Sequence, residues 1–333
     1  MKAHDWRAKV HEHQFQFRRQ EVYMKSFFTK FLIGSLLIAG LVSVRPRNAA
    51  ADSDAQPATP SVIRIAPVAP IFDNQTRLAE LFARRARVAE AVGNKGLLIL
   101  FSTEPRVYTN DVDYEYRQEN NLYYLTDLKQ NNATLVLLPG NEQLPEILFM
   151  PRRNPLAETW TGHMYSAEEA SQLSGIKEIW EASEFEPFLR ALRNRQPYRP
   201  KPEHILLSSI ATSETPSVSG FDKLFAAAAK NEAELYLLVP GESESREYKR
   251  EQRFASEWAK SASAFSIKNI TPVFDNLRLR KSPMEIAFMQ HAIDITTEAH
   301  ERAWVAAATA KWEYEVDALV AYTFKLRNAD HWG

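Results

Sequence analysis

The chain has 333 residues, 45% hydrophobic and 25% charged, with 41 Lys and Arg against 42 Asp and Glu. That length has room for roughly two globular domains, and the near-neutral balance leaves no electrostatic footprint for nucleic acid as a partner. The absence of cysteine excludes disulfides, thiolate zinc sites, cysteine nucleophiles and lipid-modified cysteine.

The N-terminal region speaks to export. Phe31–Val44 is an uncharged apolar run preceded by Lys25 and Lys30, and Ala49-Ala50-Ala51 supplies an A-x-A site. As a helix the run spans about 21 Å, short of a hydrocarbon core of roughly 30 Å. Residues 24–51 therefore read as a secretory signal peptide cleaved after Ala51, which sends the protein to the periplasm or the extracellular space. The alternative is an uncleaved anchor through residues 31–44, the only case in which a membrane is a partner; Arg45 and Arg47 interrupt the approach to the cleavage site. Residues 1–23 form an upstream extension ahead of Met24. His11 and His13 flank a single glutamate there and read as a solvated segment, not a metal tract. Residues 52–72 read as a linker, with the Ala-, Pro- and Ser-rich stretch Asp52–Pro70 expected to be flexible.

A helix is predicted over Asn74–Val92, with Leu78, Leu81, Phe82, Ala89 and Val92 on one face and Gly93 at its C-terminal cap. Strand-like runs follow at Leu97–Phe101, Leu122–Leu125, Ala133–Leu138, Ile147–Met150, Ile205–Ser208 and Leu235–Val239. Helix-like segments alternate with them at Ser166–Leu173, Ser183–Arg193 and Gly220–Lys230. This rhythm predicts an α/β domain over residues 73–270, a mixed sheet flanked by helices. Glu242–Ala264 is expected to be a long charged helix closing it, with Phe254 and Trp258 on one face. Thr271–Lys281 reads as an extended boundary.

Ser282-Pro-Met-Glu285 is a capping box with proline at the first helical position. The helix it opens is expected to bury Ile286, Met289, Ile293 and Trp304. A further helix, about Glu313–Asn328, is expected to bury Val316, Leu319, Val320 and Phe324. Neither has a sheet to pack on within the sequence, so residues 271–333 read as the start of an incomplete second domain.

No glycine lies in a dinucleotide or Walker arrangement, and no HExxH or GxSxG motif occurs. His291, Asp294 and Glu298 fall at helical spacing, where a carboxylate–imidazole metal site is geometrically possible; the blander reading is the polar side of an amphipathic helix. Two-metal hydrolysis needs several convergent carboxylates, and nothing after Ser282 offers such a cluster. The segment Tyr114–Tyr124 reads either as a stacking surface for sugars or bases, or as an edge loop and strand whose tyrosines keep their hydroxyls at the rim.

Three segments, in order, carry a family resemblance. Tyr116-Arg-Gln118 with Leu122-Tyr-Tyr-Leu-Thr126 is similar to a Tyr-Arg-Gln signature of the Xaa-Pro aminopeptidases, metallopeptidases of the pita-bread superfamily, with Asp127 in place of a glycine. Leu148-Phe149, Arg153-Asn-Pro155 and Glu158-Thr-Trp-Thr-Gly162 resemble a second, with Asn154 for aspartate and His163-Met164 for a basic pair. Leu277-Arg-Leu-Arg-Lys-Ser-Pro-Met-Glu-Ile286 resembles a third.

The resemblance implies an aminopeptidase P N-terminal domain followed by the first helices of an α+β pita-bread domain. It also implies removal of an N-terminal residue from peptides with proline at the second position, by two divalent metal ions, manganese or zinc. Oligomeric members lend a tryptophan and an aspartate from this domain to an active-site entrance; the matching positions are Trp160 and Asp111. Trp160 reads equally as a core or domain-interface aromatic. The family's metal ligands lie beyond the residues present, so no catalytic or metal residue is assigned and this chain alone is expected to bind no catalytic metal. A homo-oligomer is expected. The rivals are a prolidase or creatinase-like member of the superfamily, and a non-catalytic oligomerisation module.

Overall fold

The computed structural model describes residues 63–210, 219–240, 248–261 and 264–329. The upstream extension, the leader and most of the linker lie outside them. The chain enters α1 (Asn74–Val92), then β1 (Gly96–Phe101), the short strands β2 (Val107–Thr109) and β3 (Val112–Asp113), and α2 (Asn120–Thr126). Next come β4 (Thr134–Leu137), β5 (Glu146–Met150), α3 (Glu158–Thr161), α4 (Ala167–Ser174), β6 (Ile179–Glu181), α5 (Phe185–Arg193) and β7 (Ile205–Leu207). The domain finishes with α6 (Asp222–Ala229), β8 (Ala233–Leu237), α7 (Lys249–Lys260), β9 (Phe265–Asn269) and α8 (Thr271–Leu279). Two longer helices follow, α9 (Pro283–Ala307) and α10 (Glu313–Leu326).

The result is a mixed α/β fold, as the alternation predicts. A seven-stranded sheet runs β7-β6-β5-β4-β1-β8-β9, with β1 parallel to β8 and antiparallel to β4. Both faces are covered. Leu97, Ile99 and Phe101 point to one side, where α5, α6 and α7 bring Phe188, Leu224 and Trp258. Leu98 and Leu100 point to the other, where α1, α2 and α8 bring Val88, Leu122 and Phe274. A strand buried on both faces has no polar alternation to show, which is why β1 reads Gly-Leu-Leu-Ile-Leu-Phe.

Several expectations are corrected. Leu122–Leu125 is helical, not a strand: Glu119 caps the Leu122 amide, and Leu122 and Leu125 share the buried face of α2. Its end is Asp127, left-handed at φ 60°, where the family signature has glycine. Aspartate tolerates that conformation better than most residues, and its carboxylate receives Arg77 at 3.1 Å. Within Thr271–Lys281, residues Thr271–Leu279 form α8 and not an extended boundary, because Ile270 and Phe274 sit four apart on a buried face. On α1, Phe82 is exposed, while Arg84 and Arg85 join Leu81, Val88 and Val92 inside.

On α9 the anticipated stripe of Ile286, Met289, Ile293 and Trp304 faces outward. Met284, Ile295, Glu298 and Ala299 are buried instead. The capping box at Ser282 and Glu285 is present in both directions. On α10, Phe324 is buried while Val316, Leu319 and Val320 are half-buried. Residues 63–70, expected to be loose, are pinned: the Ala66 amide donates to Glu298 at 2.8 Å and Ala66 is buried.

At the β6–β7 edge, His204 Nδ1 bonds Glu181 and lies 3.7 Å from Glu184, which also takes the Tyr198 hydroxyl. Arg152 sits on the far side of Glu181 at 2.6 Å, and Glu203 adds negative charge nearby. The Glu181 hydrogen bond holds the imidazole above its ordinary value of 6.5. A raised folded-state pKa contributes stability that is complete below the ordinary value and is lost as pH rises through the folded one. The stability difference between the parent and His204→Gln should therefore shrink as pH rises from about 6 to about 9, read by urea midpoints.

Candidate functional site

Trp160 is presented by a loop whose geometry is fixed from within. The Asn154 side chain accepts the Leu156 amide at 3.1 Å and so folds the turn into α3. Arg153 pairs with Glu158 at 2.8 Å, and Glu158 also receives the Met164 amide at 3.1 Å. The Arg153 guanidinium holds the Glu158 carboxyl below the usual range. Gly162, at φ +77°, ends the helical turn in a conformation that favours glycine. His163 packs edge-on against Tyr165, 3.6 Å from Glu169. The backbone on either side of Trp160 is hydrogen-bonded within the loop, yet its indole is 89% exposed. The core reading of Trp160 is thereby overturned, and among the described residues it seals no domain interface.

Asp111 stands at the turn of the β2–β3 ribbon, next to Asn110, whose φ of 46° makes the tight reversal. Tyr108 and Tyr114 meet edge to face at 5.0 Å on the ribbon, and Val107 and Val112 are exposed beside them. Asp111 and Trp160 sit on separate elements, and no hydrogen bond or ion pair among the described residues joins them.

Behind the ribbon lies the group that sequence reasoning missed. Gln118 is buried, and its Oε1 accepts from the Thr103 amide, the Tyr116 hydroxyl and the Glu119 amide at 3.2, 3.0 and 2.9 Å. Its Nε2 donates to the Leu128 and Gln130 carbonyls at 3.2 and 2.9 Å. Burial pushes Tyr116 up to about 12 and raises Glu119. Glu251, at the start of α7, is pushed up to about 7 by burial, with the Glu119 carboxylate adding to the shift. Arg250 stacks over Phe101 at 4.5 Å. Only the Tyr-Arg-Gln motif signalled this cluster in the sequence. Neither reading of Tyr114–Tyr124 describes Tyr116, whose hydroxyl turns inward to Gln118, while Tyr114 stands on the exposed ribbon.

Between α1 and α4 an open groove of about 500 Å³ is lined by Arg77, His163, Tyr165 and Glu169 among others. It adjoins the Trp160 loop through His163. Among the described residues no group of three or more His, Asp or Glu side chains is placed to hold a metal ion. Of the helical triple, Glu298 is taken by Arg302 and Arg327 at 2.8 Å each, and Asp294 accepts from Gln290 at 3.1 Å.

Residues 81–199 match the family described as the aminopeptidase P N-terminal domain. The chain carries an aminopeptidase P N-terminal domain. It is 28% identical over 246 residues to the Xaa-Pro aminopeptidase of Haemophilus influenzae, covering 74% of this chain and 47% of that protein. To Xaa-Pro aminopeptidase 3 of Mus musculus it is 28% identical over 252 residues, 72% of this chain and 42% of the relative. The low-pH form of aminopeptidase P from Escherichia coli superposes with a TM-score of 0.55 at 21% identity, over 79% of this chain and 51% of that one, and so shares the fold. The chain thus spans about half the length of the curated relatives it matches. Trp160 and Asp111 both fall inside the matched aminopeptidase P segment.

Proposed function

We propose that this chain supplies the substrate-shaping N-terminal half of an Xaa-Pro aminopeptidase. The observation that carries the reading is Trp160, an indole held out into solvent by a fully bonded loop inside an aminopeptidase P N-terminal domain. A tryptophan this exposed among the described residues is suited to contact something outside them. Asp111, at the tip of an exposed aromatic ribbon, is the second contact.

The substrates are peptides with proline at the second position. That bond is a tertiary amide with no N–H and a ring beside it, so ordinary peptidases fit it poorly. In hydrolysis, water adds to the carbonyl carbon, the C–N bond breaks, and the proline nitrogen takes up a proton. The complete enzyme would require two divalent ions, manganese or zinc, to supply Lewis-acid chemistry at the scissile carbonyl. A homo-oligomer would bring Trp160 and Asp111 to a neighbouring entrance. The apolar run at residues 31–44 would export the protein to the periplasm or beyond. Among the described residues no helix is long and apolar enough to cross a membrane.

The test uses the protein purified from its native host. It should release the first residue from a peptide with proline second and not from its alanine counterpart, lose that activity to a chelator, and regain it with manganese or zinc. Equal cleavage of both peptides would overturn the reading. Trp160→Ala should lower proline-peptide turnover about tenfold, the equivalent of one aromatic contact. Its melting temperature should be unchanged, because substitutions at such exposed positions stay within about 0.5 kcal/mol. Normal turnover by this variant would remove Trp160 from the site.

A further inference from the structure

We propose that residues 63–72 are a strap that latches the α9–α10 hairpin through the buried carboxylate of Glu298. The strap follows α9 in the opposite direction. Its Arg64 amide donates to Glu301, its Ala66 amide to Glu298 at 2.8 Å, and its Phe72 ring meets Phe288 at 5.5 Å. The Arg64 guanidinium lies 3.6 Å from Asp294. As the strap number rises, the α9 number falls. Pro67 and Pro70 keep this segment extended, and neither has an N–H left to satisfy.

Glu298 is where three distant stretches of chain meet. Fully removed from solvent, it receives the Ala66 amide, Arg302 from one turn further along α9, and Arg327 from just past α10. Both arginines donate through two nitrogens, Arg302 at 3.0 and 2.8 Å and Arg327 at 2.8 and 2.9 Å. Over this polar centre Ala66 packs with Ile295, Ala299 and Phe324. Lifting the strap would strip the carboxylate of its amide donor and open that apolar patch to water.

Beyond the strap, the hairpin is tied to the domain by Glu285 to Arg84 and Lys325 to Glu115, each at 3.6 Å. Trp304, Trp312, Tyr314 and Tyr322 are all exposed, and the buried contact between the two helices centres on Phe324 and Thr323. Strap, α9 and α10 therefore behave as three sides of one small unit.

Hydrogen exchange on the full chain tests this, comparing the parent with Ala66→Pro, which removes the donated N–H and sets a ring in its place, and Ala66→Asp, which sets a second carboxylate against the first. The latch predicts that amides of Ile295–Ala307 and of α10 exchange at least about tenfold faster in both variants, while β1 and β4 keep their protection. Parent-like exchange across the hairpin in both variants would overturn the proposal. So would an equal acceleration in β1 and β4, since the loss would then be global and not the latch's own.

Discussion

Arg85→Ala should destabilise the protein by about 3–5 kcal/mol, the range for breaking a buried charge pair from one side. Arg85 is 3% exposed in the middle of α1, an unusual place for an unshielded guanidinium. It is held by Glu146 of β5 at 2.6 Å and donates to the carbonyls of Leu125 and Ser174 at 2.8 and 2.9 Å. One side chain thereby ties α1 to the sheet and to the ends of α2 and α4. Truncation strands the Glu146 carboxylate and two carbonyls with no replacement donor. The melting temperature should fall on the order of 10 °C, with an unchanged urea m value. In a Glu146→Gln background the same truncation should cost at least about 1 kcal/mol less, because the stranded charge is gone. A loss below about 1 kcal/mol in the parent background would show that water reaches the site and that the pair is not effectively buried.

Glu298→Gln should cost about 2–3 kcal/mol at neutral pH, below that range, since the arginines on either side keep roughly a quarter of their surface in water. Acid should reproduce the effect in the parent. The Arg327 hydrogen bond leads the forces that hold the Glu298 carboxyl down at about 2, against an ordinary 4.5. A depressed carboxyl contributes stability that is complete above its ordinary value and is lost as pH falls through the folded one. Parent and variant should therefore converge between about pH 4.5 and about pH 2, followed by urea midpoints or by exchange at α10. Curves that stay parallel over that window would rule out ionised Glu298 as the source of the difference.

The parts of the fold that read clearly in the sequence are those where local chemistry and tertiary demand agree. The helix Asn74–Val92 and the capping box at Ser282 match residue for residue, because caps are decided by neighbours in the chain. The doubly buried strands β1, β4 and β5 stand out as continuous apolar runs. The segment Leu122–Leu125 misleads because its tyrosines favour strands, and the burial of two leucines three apart is visible only once α2 has packed. The face of α9 misleads for a different reason. Hydrophobicity marks Ile286, Met289 and Ile293, but the strap and α10 take the side bearing Ala299 and Glu298. A glutamate at the centre of a buried contact has no signature in periodicity. For the candidate site, the motifs located Trp160 and Asp111. Neither the outward direction of the indole nor the bonded frame around it was legible, because the frame is closed by contacts such as the Met164 amide reaching back to Glu158.

Gln118 changes what the Tyr-Arg-Gln signature can be taken to mean. Its amide saturates five partners spread from Thr103 to Gln130, and so works as the keystone of a long connection whose own strands are too short to define its shape. Tyr116 turns inward to the same keystone, leaving Arg117 as the one member of the motif open to solvent. A signature of this kind marks ancestry through architecture. Two chains can share it while differing in what they recognise, and selectivity is better sought in the ribbon and the Trp160 loop that the keystone supports.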